Sequence, residues 1–181
     1  IAKAAQSIGS GGPVHLVLVT TGILHSDDFG PERSWRELDP GNMQTVFALN
    51  TIGPAIIARH MLEHLPRDAT GIFAALSARV GSIGDNGLGG WHSYRASKAA
   101  LNMLIRNFAI ELGRKRKKAI CVGLHPGTVD TGLSGPFQRN VPDGKLFSPE
   151  KSAGCLLDVL GALGAADTGY CYAWDGKRID W

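Results

Sequence analysis

Four short runs of almost unbroken apolar residues punctuate the chain: VHLVLVTTG at 14–22, GIFAALS at 71–77, AICVGLHPG at 119–127 and GYCYAW at 169–174. A strand with one wet face alternates apolar with polar residues. A continuous run predicts a strand covered on both faces, as in a parallel sheet. Segments of helical character separate the runs. The first extends from Asp39, an expected N-cap, to Leu65, and the second covers 93–118. The third opens with Ser148 as N-cap, Pro149 in the first turn and Glu150 at the positive helix end. Strand alternating with helix predicts an α/β fold, a doubly wound parallel sheet with right-handed crossovers.

Such sheets take their ligands beyond the carboxyl ends of the strands. Thr20–Gly22, Ser77–Ser82 and His125–Thr131 follow the first three runs and are expected to share one rim. The glycine-rich GSIGDNGLGG at 81–90 leads from that rim into the second helical segment and is a candidate mobile loop over a site. Several function classes drop out here. The net charge of +3 is small, and the local cluster RKRKK at 114–118 reads as a solvated helix end, so no nucleic-acid partner is expected. No apolar run approaches the roughly 18 residues that span a bilayer, so no membrane partner is expected. No metal site is expected from the six histidines. RVGSIG is not the G-x-S-x-G turn of a serine hydrolase. Three cysteines without a C-x-x-C pair read as small buried hydrophobes in a reducing, cytoplasmic setting.

The chemistry-bearing stretch is SYRASKAALNML at 93–104. Helical spacing sets Tyr94 and Lys98 on one face, with Cβ atoms about 5–6 Å apart. Ionising a tyrosine near neutrality needs a shift of about three units, and one ammonium about 4 Å away can supply it. Such a pair can act as a general acid or base. Asn50 precedes Pro54 by four residues, and a proline has no N–H and crowds the carbonyl at i−4. A kink there is expected to free the Asn50 carbonyl for a water or for Lys98.

SYRASKAALNML, placed between a strand ending LSARVGS and one ending HPGTVDT, resembles the short-chain dehydrogenase/reductase family, in its carbonyl-reductase-like and C-factor-like branch. The resemblance covers nearly the whole chain and implies a Rossmann-like sheet. It implies an oxidoreductase that moves a hydride between NAD or NADP and a small carbonyl or alcohol. Tyr94 would be the proton donor or acceptor. Lys98 would hold the nicotinamide ribose and lower the Tyr94 pKa, and Asn50 would support a water in the relay. The family's carbonyl-binding serine aligns with Ala78, so either Ser77 or Ser82 takes that part, Ser82 being favoured by Gly81 and Gly84 beside it. Thr20, Thr21 and Gly22 stand where the family has Asn-Asn-Ala-Gly near the adenosine ribose. Pro126, Gly127, Val129 and Thr131 match the turn that grips the nicotinamide.

The family's glycine-rich phosphate turn and first strands have no counterpart in these residues. Residues 1–181 are therefore expected to be the carboxyl-terminal part of a single domain of this family, inactive by itself. Ala78, Thr20 and Thr21 also leave open a non-catalytic signalling or interaction protein on the same scaffold. The second helical segment is apolar over a wide arc, and by resemblance its outer side would form a homodimer or homotetramer interface.

Overall fold

A computed structural model describes residues 1–181, excepting the Asn140 side chain. In chain order its strands are β1 (Leu16–Val19), β2 (Gly71–Leu76), β3 (Ala119–His125), β4 (Thr128–Val129), β5 (Leu146–Phe147), β6 (Cys171–Ala173) and β7 (Arg178–Ile179). The helices are α1 (Ala2–Gly9), α2 (Pro40–Phe47), α3 (Gly53–Met61), α4 (His92–Gly113) and α5 (Pro149–Ala162). All four apolar runs are strands of one sheet, ordered β1-β2-β3-β6-β7, with β7 alone antiparallel; β4 and β5 form a separate two-stranded ribbon.

Helices cover both faces. Phe73, Ala75 and Cys121 point to α3 and α4, where Ala58, Leu101 and Ile105 meet them. Ala74, Val122 and Leu124 point the other way, to Leu156 and Leu160 of α5. Burying a side chain such as Phe73 completely contributes about 1.5–3 kcal/mol. The expectation of strands covered on both faces holds for β3, buried from Ala119 to Leu124, and fails for β1. There Val17 and Val19 are buried while Leu16 and Leu18 are exposed. The reason is positional: β1 is an outer strand, and the α5 layer packs on β2, β3 and β6 only.

The caps follow the side-chain chemistry. Asp39 Oδ1 accepts from the Asn42 N–H at 2.8 Å to start α2, and Ser148 Oγ accepts from the Lys151 N–H at 3.2 Å to start α5. The segment from Asp39 to Leu65 is not one helix. A π-helical turn, Ala48–Ile52, separates α2 from α3, with the Gly53 N–H on the Ala48 carbonyl. Pro54 cannot donate in the ordinary register, and the widened turn absorbs its ring. Asn50 and Thr51 are thereby buried, and the Thr51 hydroxyl donates to the Ser97 carbonyl at 2.8 Å. The second helix is shorter than expected and ends at Gly113, because Lys115–Lys118 already turn toward β3. Among the described residues, no helix is long and apolar enough to cross a membrane.

Candidate active site

A cavity of about 630 Å³ opens beyond the carboxyl ends of β1, β2 and β3. Thr20, Thr21 and Gly22 line it from the first strand, Ser77 and Ala78 from the second, and Pro126, Gly127, Val129 and Thr131 from the third. Tyr94 and Lys98 enter from α4. The rim expected from strand order is therefore real, except at its glycine-rich part. Residues 81–90 do not line the cavity, and its cover is supplied by Leu133, Ser134, Phe137 and Val141 instead.

Tyr94 and Lys98 are both buried, and the Lys98 Nζ lies 5.6 Å from the centre of the Tyr94 ring. The expected lowering of the phenol pKa does not occur. Burial pushes Tyr94 up to about 12 and Lys98 down to about 8. Each charged form loses hydration, and the Lys98 Nζ turns to the Leu76 carbonyl at 2.8 Å. Gly81 makes this placement possible, since a Cβ there would come within 2.8 Å of the Lys98 Cβ.

Asn50 stands directly behind the cavity rather than in it. Its Oδ1 accepts from the Ile23 N–H at 2.7 Å, and its Nδ2 donates to the Ile23 carbonyl at 2.8 Å and to the Ser97 Oγ at 3.1 Å. Both amide hydrogens are thus engaged, and Ser97 passes the link on to the Tyr94 carbonyl at 2.8 Å. Of the two partners expected for the Asn50 backbone carbonyl, a water or Lys98, the lysine is instead bonded to the Leu76 carbonyl. What the amide does is tie the loop after β1 to the helix that carries Tyr94.

Ser82 was the favoured carbonyl-binding serine from sequence, and the structure corrects this. It lies outside the cavity, where its Oγ accepts from the Asp85 N–H at 3.1 Å in the turn after β2. The flanking glycines serve that turn and the approach of α4. Ser77 does line the cavity, with its hydroxyl donated to Asn102 Oδ1 at 2.7 Å. His125 also lines it; burial lowers its pKa to about 4, and its Nδ1 is buried without a hydrogen-bond partner.

The geometry fits the nicotinamide–ribose half of a dinucleotide. A Cβ on Gly22 would lie 3.3 Å from Asn50 Oδ1 and 3.5 Å from Lys98 Nζ, so a bare backbone keeps that approach open. Gly127 has φ +79°, and a Cβ there would press within 2.9 Å of Phe147. Lys98 has three donors, of which the Leu76 carbonyl engages one. Sequence reasoning missed Leu24, Val80 and Trp91, which complete the apolar wall around Tyr94. The signal available for Trp91 was an aromatic set directly between a Gly-Gly step and a helix start.

The chain matches the short chain dehydrogenase family over residues 1–141. It is 31% identical over 170 residues to the C-signal of Myxococcus xanthus, covering 94% of each chain. It is 31% identical over 180 residues to the 1-hydroxy-2-glutathionyl-2-methyl-3-butene dehydrogenase of Rhodococcus sp. (strain AD45), covering 99% of this chain and 74% of that protein. The NADPH-bound carbonyl reductase from chicken fatty liver superposes with a TM-score of 0.84 at 30% identity, over 99% of this chain and 72% of that one. Cavity, motifs and relatives agree, and this chain belongs to the short chain dehydrogenase family.

Proposed function

We propose that this protein is an NAD(P)-dependent oxidoreductase that interconverts a small carbonyl compound and its alcohol, with Tyr94 as the proton donor and acceptor. The observation that carries the reading is the seating of Tyr94 and Lys98 in one cavity with the bare backbones of Gly22 and Gly127. A dinucleotide, when bound, would supply or accept the hydride. Tyr94, protonated at neutral pH, is set to give its proton to a carbonyl oxygen as negative charge develops there. Lys98 would hold the ribose hydroxyls with its remaining donors, while Pro126, Gly127, Val129 and Thr131 would flank the nicotinamide. Thr20, Thr21 and Gly22 would meet the adenosine side. Ser77 takes the carbonyl-binding part in this reading, by turning its hydroxyl from Asn102 toward the cavity.

The apolar side chains of Leu16 and Leu18 are exposed on the outer strand β1, as is Leu157 on α5. We read this face as the seat of further strands carrying a phosphate turn, so that these residues form the carboxyl-terminal part of one domain. Met103 and Ile110 of α4 and Leu49 and Ile52 of the π-helical turn are exposed apolar side chains. Their exposure supports a homodimer or homotetramer, and the free cysteines support a cytoplasmic location.

Full-length protein is expected to shift NADPH fluorescence on binding and to oxidise it with a carbonyl compound. Tyr94→Phe should lower turnover by about 10³-fold while leaving NADPH binding intact. Undiminished turnover in that variant removes Tyr94 from the chemistry.

A further inference from the structure

One buried carboxylate lies outside these roles. Glu32, only 6% exposed, sits in the loop between β1 and α2 and reaches the head of α4. Its Oε2 accepts from the Ser93 N–H at 3.2 Å, its Oε1 accepts from the Ser93 hydroxyl, and its backbone carbonyl accepts from the Trp91 N–H. Among the described residues it forms no ion pair. A buried carboxylate without a cation is costly unless its hydrogen bonds are made, and here they are made to the positive end of a 22-residue helix.

The backbone at that point is also strained. Gly89, Gly90 and Trp91 have φ of +65°, +64° and +50° in succession, and the left-handed region is costly for a tryptophan because its Cβ crowds the following carbonyl oxygen. Such a conformation persists only where its surroundings hold it. Glu32 supplies that hold on both sides of His92, through Trp91 and through Ser93. The Trp91 ring in turn packs edge-on against Tyr94 and Phe137, with centres 6.3 and 5.0 Å apart.

We propose that Glu32 is a positioning residue for the proton donor: its carboxylate clamps Ser93, and so sets the angle at which the next residue, Tyr94, enters the cavity. This rests on Tyr94 being the donor. A misplacement of the donor of the order of 1 Å costs about 10²-fold in rate.

The test uses full-length protein, steady-state kinetics, NADPH binding and thermal melting. Glu32→Ala is expected to lower kcat about 10- to 100-fold while NADPH affinity stays within about two-fold. Glu32→Gln can still accept from the Ser93 N–H and donate to its hydroxyl, and should recover kcat to within about three-fold of wild type. Should Glu32→Ala fail to fold, Ser93→Ala decides, with kcat lower by about three- to ten-fold and NADPH affinity unchanged. Wild-type kcat in the deciding variant, or a proportional loss of kcat and NADPH affinity, overturns the proposal. So does a Glu32→Gln enzyme as slow as Glu32→Ala, which would make charge rather than clamping the agent. Full activity in Tyr94→Phe would instead remove the reading on which the clamp depends.

Discussion

Polar side chains on and directly behind the floor of the cavity are buried and held from far along the chain, whereas the rim at 129–138 is held mainly by its near neighbours. Lys98 donates to Leu76, Ser77 to Asn102 and Asn50 to Ser97, links that span 22, 25 and 47 residues. At the rim, Ser134 bonds Val129, Thr131 and Gln138, all within five residues, and Leu133 is 38% exposed. His25 adds a distant tie to the Gly132 and Leu133 carbonyls at 3.2 Å. The contrast separates two tasks. Long-range bonds among buried groups give the reacting side chains one geometry, while a locally folded rim can vary without disturbing it.

The sharpest way to break this comparison is to cut a floor link. Asn50 is itself fully buried, and Asn50→Ala leaves the half-buried Ile23 N–H and carbonyl without their partner and takes one of two bonds from the Ser97 hydroxyl. It should cost about 3–4 kcal/mol of stability, read by urea unfolding. A loss below about 1 kcal/mol would put Asn50 in the same class as a rim residue.

The next effect depends on pH. Lys98 titrates at about 8 in the folded chain against an ordinary 10.5. Below pH 8 it is protonated in both states, and its burial is destabilising in full. Between pH 8 and 10.5 the unfolded chain binds the proton and the folded chain does not, so this group's contribution to stability rises with pH, by up to about 3 kcal/mol. Tyr94, raised to about 12 from 10.0, and Cys121 and Cys171, raised to about 12 from 9.0, act oppositely and lower stability at alkaline pH. Lys98→Met isolates the lysine. Its stability advantage over wild type should be larger at pH 7 than at pH 10, and parallel melting curves at the two pH values would contradict the buried-cation account.

Phe137→Ala should show the smallest effect on the fold. Removing this rim ring is expected to change stability by no more than about 0.5–1 kcal/mol and leave kcat within about two-fold, while raising KM for an aromatic carbonyl several-fold. A fall in kcat as large as that of a floor variant would mean that Phe137 holds Tyr94 in place through Trp91.

Much of the fold was legible because local rules and tertiary packing agree. The apolar runs became strands, and Asp39 and Ser148 became caps, since each acts on its own segment. The exposed side of β1 was not legible, because an apolar run says nothing about how far the facing helix layer extends. In the site, a spacing of four put Tyr94 and Lys98 on one face, and strand order brought Gly22, Ser77 and Gly127 to them. Ser82 was misjudged because adjacency in sequence to glycines does not reveal which way a turn points. Glu32 left no local mark at all, since its partners lie 61 residues away.

By itself the order of residues determined the strand and helix periods, the π-helical break before Pro54 and the side chains available for proton transfer, since these depend on neighbours within a turn or two. Only the tertiary structure decided which groups are dry and which partner each one meets. Burial, absent from any local stretch, is what raised Tyr94 and lowered Lys98, and long-range hydrogen bonding is what turned Asn50 into a tether.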